Sequence, residues 1–105
     1  MIKIIAAKVA ARKTIKARLE KEIPLINEVI QKAKEAGDIR VYYSGEISKA
    51  TVIMLEKAGY VVNHWDVWDV KTEITWYPAY NKLVDNPSEV EKIAKEAGLD
   101  IVEMQ

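Results

Sequence analysis

The segment Leu55-Glu56-Lys57-Ala58-Gly59-Tyr60-Val61-Val62 decides the fold, because it changes from a helical to a strand pattern at one glycine. Glycine adopts the left-handed conformation that ends many helices without steric cost. The β-branched pair that follows it is typical of a strand. The same junction recurs at Lys34-Glu35-Ala36-Gly37 and at Lys95-Glu96-Ala97-Gly98. We therefore predict three helices that each end at a glycine and lead directly into a strand.

Upstream of the first glycine, residues 1–36 form a long segment with the pattern of a helix. Its apolar residues are three or four positions apart, the spacing of one helical face: Ile15, Leu19, Ile23, Ile26, Ile30 and Ala33. Glu22 is expected on the solvent side. The apolar phase continues past Pro24, so we predict a kink there and not a break. Residues 2–11 could be helix or strand, and their four alanines favour helix.

Residues 37–76 predict a unit of strand, helix and two further strands. Ser48 suits the N-cap of the helix, and Ile47 and Val52 could contact each other across the helix start. The strands 39–43 and 60–65 flank this helix, so they should run parallel with a right-handed crossover if they share a sheet.

The next strand follows a turn near residues 68–71. In residues 70–76, Val70, Thr72, Ile74 and Trp76 alternate with Lys71, Glu73 and Thr75, which is the period of a half-buried strand. Beyond it, residues 77–105 predict a loop from Pro78 to Asp85, a helix capped by Asn86 and begun by Pro87, and a last strand at 99–104. The whole chain, 1–105, is thus expected to be one α+β domain of order α-β-α-β-β-α-β. Its mixed sheet should be covered mainly on one face by helices.

Composition excludes several classes of protein. The 105 residues contain 16 Lys and Arg, 16 Asp and Glu, one histidine and no cysteine, which rules out disulfides and cysteine-rich zinc sites. The apolar stretch at residues 2–11 is broken by Lys8 and is too short for a membrane span or a secretory signal. We therefore expect neither a cofactor nor a membrane partner.

Charge is distributed unequally along the chain. Residues 1–36 contain nine Lys or Arg and four Glu, whereas residues 37–105 contain seven Lys or Arg and twelve Asp or Glu. The first 18 residues contain no acid and six bases: Lys3, Lys8, Arg12, Lys13, Lys16 and Arg18. The interpretation we favour is a solvated helix face, or one that meets the acidic body of another copy. The alternatives are nucleic-acid binding, since a basic stripe can contact phosphates, and attachment to a membrane surface.

All eight aromatic residues are Trp or Tyr, side chains that combine large apolar area with a polar group and suit interfaces. Strand alternation cannot bury both Tyr42 and Tyr43, nor both Trp76 and Tyr77. Some of these rings should therefore face a rim, a helix or a partner. Stacking on nucleic-acid bases is less favoured, because the basic residues lie mostly in the N-terminal segment.

His64 and Asp66 could place two ligands on one side of a strand, with Asp69 nearby. No third ligand stands at a recognisable spacing, so a metal or acid–base site is the weakest of the alternatives. The four glycines are too far apart to form a phosphate-binding loop. The sequence therefore predicts no enzyme, no catalytic residue and no metal site.

Three features together resemble a known group. A long charged N-terminal helix precedes Leu55-Glu56-Lys57-Ala58-Gly59-Tyr60-Val61-Val62, and Asp69-Val70-Lys71-Thr72-Glu73-Ile74-Thr75-Trp76 closes the unit. Residues 1–76 in this respect resemble a widespread group of small, uncharacterised proteins of tailed bacteriophages and prophages. Pro24 and the segment 77–105 depart from the group's pattern. The resemblance implies a phage context, in the virion or the host cytoplasm, and assigns no catalytic residues.

We therefore predict a non-enzymatic phage structural or accessory protein that acts through protein–protein contacts and self-associates. Its partner would be a second copy, another phage protein or a host protein. The residues expected at the partner surface are Trp65, Trp68, Trp76, Tyr77, Ile15, Leu19, Ile23 and Ile26. The alternative is a nucleic-acid-binding accessory protein that uses Lys8, Arg12, Lys13, Lys16 and Arg18.

Overall fold

A helix of 29 residues, α1 (Ala7–Glu35), is the longest element of the protein. The computed structural model describes residues 2–64 and 72–99. Residues 2–6 precede the helix without regular structure, and α1 runs through Pro24 as one element. The other elements follow in the order β1 (Arg40–Tyr43), α2 (Lys49–Lys57), β2 (Val61–His64), β3 (Thr72–Thr75), α3 (Tyr77–Val84) and α4 (Pro87–Glu96). The predicted α+β class and the long N-terminal helix are confirmed.

The three strands form one sheet in the order β1-β3-β2. Both outer strands pair antiparallel with β3, so that Val41 and Val62 lie on either side of Ile74. β1 and β2 therefore run in the same direction, as the helix between them predicts. The prediction of a mixed sheet is wrong for the described strands. Because β3 inserts between the two parallel strands, every pairing among these strands is antiparallel.

The core lies between the sheet and two helices. Ile26 and Ile30 of α1, Val41, Leu55 of α2 and Ile74 form one buried cluster. Since these residues belong to one cluster, α1 and α2 lie on the same face of the sheet. The prediction that helices cover mainly one face is confirmed for the described elements, because the core lies between that face and both helices.

The helix-ending glycines behave as predicted. After α2, the Gly59 N–H donates to the Glu56 carbonyl at 3.0 Å and the Tyr60 N–H donates to the Leu55 carbonyl at 3.1 Å. These two bonds define the Schellman motif, which needs a residue of positive φ, and φ of Gly59 is 98°. The same pair of bonds ends α1 at Gly37 and α4 at Gly98.

The predicted loop from Pro78 to Asp85 is wrong, because this segment contains α3. Proline is tolerated in the first turn of a helix, where its missing N–H has no intrahelical partner. Pro78 lies in that turn, and α3 continues past it to Val84. α4 begins at Pro87 after Asn86, as predicted. The turn at 68–71 and residues 100–104 of the predicted last strand lie outside the described residues.

Candidate interaction surfaces

The protein is far more extended than its length requires. Its radius of gyration is 19.8 Å and its extents are 86 × 34 × 20 Å, whereas a compact chain of this length has a radius of about 13 Å. Its accessible surface is 9012 Å², against about 6,000 Å² for a compact monomer of the same mass. The excess of about 3,000 Å² comes from surface that the chain itself does not cover.

One uncovered region is the N-terminal segment 2–18, which we call the basic arm. Its large apolar side chains are exposed, from 47% at Ile15 to 96% at Ile2. The six bases predicted from the sequence lie here, and the nearest acid along the chain is Glu20, whose carboxylate is 3.8 Å from the Lys16 ammonium. The basic arm is thus a cationic segment, helical from Ala7 onward, with apolar residues between its charges.

The exposure of the predicted apolar stripe of α1 decreases along the helix. Ile15 is exposed, Leu19 and Ile23 are half-buried, and Ile26 is fully buried at 0% exposure. The prediction that Ile26 meets a partner is therefore wrong, because its side chain lies in the protein's own core. Ile15, Leu19 and Ile23 keep surface that a partner could reach.

The aromatic pairs divide between core and surface as strand alternation predicts. Trp76 is half-buried and its ring meets that of Tyr60 edge to face, with the ring centroids 6.0 Å apart. Tyr77, the next residue, is 50% exposed. Tyr43 is half-buried on the helix-covered face, whereas Tyr42 is 56% exposed. Trp65 and Trp68, predicted at the partner surface, lie outside the described residues.

The second uncovered region is the hairpin of α3 and α4, joined through residues 85–86. None of its residues is buried. Each helix carries large apolar residues at helical spacing, all between 42% and 50% exposed: Tyr77, Tyr80, Leu83, Val84, Val90 and Ile93. We call these six residues the hairpin surface. Of these six residues, the sequence predicted only Tyr77 at a partner surface. Residues 77, 80 and 84 have the spacing of one helical face, which could have predicted α3, but Pro78 favoured a loop.

An open groove of about 930 Å³ lies beside His64, on the helix-covered face of the sheet. Arg18 and Lys21 line it from α1, together with Glu22 and Glu46. The His64 Nδ1 atom is 3.4 Å from the Thr72 hydroxyl oxygen, and Asp66 lies outside the described residues. In the ranges 2–64 and 72–99, no three His, Cys, Asp or Glu side chains come together as a metal site requires.

Glu22, which also borders this groove, has a structural partner that the sequence did not reveal. Its side chain is 7% exposed, and its carboxylate accepts a hydrogen bond from the backbone N–H of Ser48. Ser48 is the N-cap of α2, as predicted, but its hydroxyl makes no capping bond. The expectation that Glu22 faces solvent is wrong because α2 begins directly beside it.

The open face of the sheet carries a polar cluster. The Asn63 amide donates to the Glu73 carboxylate at 3.1 Å, and the Arg40 guanidinium lies 4.0 Å from the same carboxylate. Glu73 is only 8% exposed. A smaller groove of about 340 Å³ borders this cluster, with Tyr77 and Pro78 at its margin. The Glu73 carboxylate on β3 thus contacts one side chain from each of the two outer strands, Arg40 on β1 and Asn63 on β2.

Comparisons with protein-family models, with curated proteins and with solved structures found no match. Within the part of the chain that the structure describes, no helix combines the length and apolar content needed to cross a bilayer.

Proposed function

We propose that this protein is a non-enzymatic structural or accessory protein that acts through protein–protein contacts and associates with itself. The observation that carries the proposal is the accessible surface of 9012 Å². The excess over a compact monomer, about 3,000 Å², exceeds the roughly 800 Å² that each partner buries in a standard interface. It is also larger than the roughly 1,000–2,500 Å² that one subunit buries in many obligate interfaces.

The nature of the excess surface also supports the proposal. The exposed side chains of the basic arm and the hairpin surface include eleven large apolar residues, and groups of exposed apolar side chains are typical of interaction sites in soluble proteins. The core holds only five buried hydrophobic residues in the described part of the chain. A partner would therefore add apolar burial that the described residues do not provide for one another. The phage context remains a prediction that rests on the resemblance of residues 1–76.

The test is the mass in solution by light scattering over a wide range of protein concentration. We expect at least twice the chain mass of 11.9 kDa. Because apolar association is not weakened by moderate salt, the mass should persist when salt is raised. A mass of one chain at the highest attainable concentration would contradict self-association.

The basic arm supports a second candidate function, nucleic-acid binding through Lys8, Arg12, Lys13, Lys16 and Arg18. Of the ion pairs found in the described residues, only one, Lys16 with Glu20, involves the arm. Cations without intramolecular partners are available to phosphates.

Filter binding to DNA and RNA distinguishes this candidate from the first. Five phosphate contacts predict that log affinity falls with log salt with a slope on the order of −4. Replacing Arg12 and Lys13 by Gln should weaken binding and make the slope shallower by about two. Replacing Lys32 by Gln is the matched control, since its ammonium lies 3.6 Å from Glu28 outside the arm. No retention of either nucleic acid at low salt would exclude this function.

A further inference from the structure

The described residues of the chain leave the hairpin of α3 and α4 uncovered. The two helices have 8 and 10 residues, and helices shorter than about 12–15 residues are marginal in water without tertiary contacts. None of their residues is buried, and the hairpin surface is exposed along both helices. An apolar contact outside the chain would stabilise the hairpin.

Charge distinguishes the hairpin from the basic arm as a surface for self-association. Around the apolar residues the hairpin carries both signs: Lys82, Lys92 and Lys95 against Asp85, Glu89, Glu91 and Glu96. In a two-fold interface each patch meets its own copy, so a patch of mixed sign can pair with itself. The arm carries bases alone up to Glu20, and two arms would repel each other.

From these observations we propose that the hairpin surface binds the hairpin surface of a second copy. The two hairpins would form a four-helix arrangement about a two-fold axis, with Leu83, Val90 and Ile93 at its centre. A standard interface takes roughly 800 Å² from each partner, and the hairpin surface offers such a contact six large apolar residues, each between 42% and 50% exposed. This inference rests on the proposed self-association and specifies the surface that performs it.

The first test uses the absence of cysteine from the chain. Leu83→Cys, Val90→Cys and Ile93→Cys are made singly and treated with a short bismaleimide cross-linker. Lys92→Cys is the matched control, because it lies on the polar side of α4. We expect a covalent dimer from at least one of the three variants and little from the control. If none of the three forms a dimer, or the control forms it equally well, the inference is wrong.

The second test measures mass with Ile93→Lys, which places a charge in the proposed interface. Ile93 lies outside the core cluster, so the sheet should remain folded, as circular dichroism would verify. We expect the light-scattering mass to fall to that of one chain, while Lys92→Glu leaves it unchanged. A mutant that keeps the wild-type mass would overturn the inference but leave self-association standing. A wild-type protein of one-chain mass would instead overturn both.

Discussion

The two halves of α1 share one pattern but differ in their surroundings. Ile15 and Ile26 belong to the same apolar stripe, three turns apart, yet Ile15 is 47% exposed and Ile26 is 0% exposed. The half that contains Ile26 rests on the sheet, whereas the half that contains Ile15 extends beyond it. Helical periodicity thus predicts which residues share a face, and a second element decides whether that face is covered.

The lengths of the elements explain the difference. Twenty-nine residues of helix span about 43 Å. Strands of four residues span about 13 Å, and three strands side by side are about 14 Å wide. A sheet of this size cannot cover the whole helix, so one half of α1 extends past it.

The largest expected effect comes from truncating the covered half. Ile26→Ala should lower the free energy of unfolding by about 2–5 kcal/mol, because it leaves a cavity in a core of five residues. Ile15→Ala is the control in the uncovered half of α1, and it should change the free energy of unfolding by less than about 1 kcal/mol. Urea unfolding at one fixed protein concentration measures both. Equal losses would mean that Ile15 is as buried in solution as Ile26.

A smaller effect is expected where α1 meets the start of α2. Glu22→Ala removes the acceptor for the Ser48 N–H, and leaving a buried donor unsatisfied costs about 1–3 kcal/mol. The control is Glu28→Ala, whose carboxylate is 63% exposed and paired with Lys32 on the helix surface. Glu28→Ala should lower the free energy of unfolding by no more than about 0.5 kcal/mol. The same urea experiment compares the two variants. If Glu22→Ala is as stable as Glu28→Ala, the hydrogen bond from the Ser48 N–H to Glu22 does not stabilise the start of α2.

The smallest effect is expected beside the basic arm. Glu20→Gln breaks the pair with Lys16, whose two side chains are 77% and 66% exposed, and should cost less than about 0.5 kcal/mol. Repeating the unfolding at about 1 M salt, where charges are screened beyond about 3 Å, should remove the difference. A larger loss that survives high salt would indicate that a partner or a second element covers this part of α1.

The elements that sequence predicted correctly depend on local chemistry. The three helix-ending glycines, the N-cap position of Ser48 and the start of α4 follow from backbone conformations that few residues favour. α3 was not predicted because Pro78 was interpreted as the start of a loop, although proline is also common in the first turn of a helix. The antiparallel sheet was missed because strand order depends on contacts between residues distant in sequence.

The candidate surfaces were predicted only in part for the same reason. The basic arm follows from charge spacing, and Tyr77 follows from strand alternation. The bond between Glu22 and Ser48 joins residues 26 positions apart, and no local pattern indicates it. Ile26 and Ile15 are indistinguishable in sequence, so only the position of the sheet separates a core residue from a surface one.

The order of the strands has a consequence for synthesis on the ribosome. β3, the strand that holds the sheet together, is the last of the three to be translated. Until it emerges, β1 and β2 have no described strand to pair with, because they do not pair with each other. The apolar face of α1 is therefore translated before the sheet that covers it can form, and a fragment released before Thr72 lacks the strand with which both β1 and β2 pair.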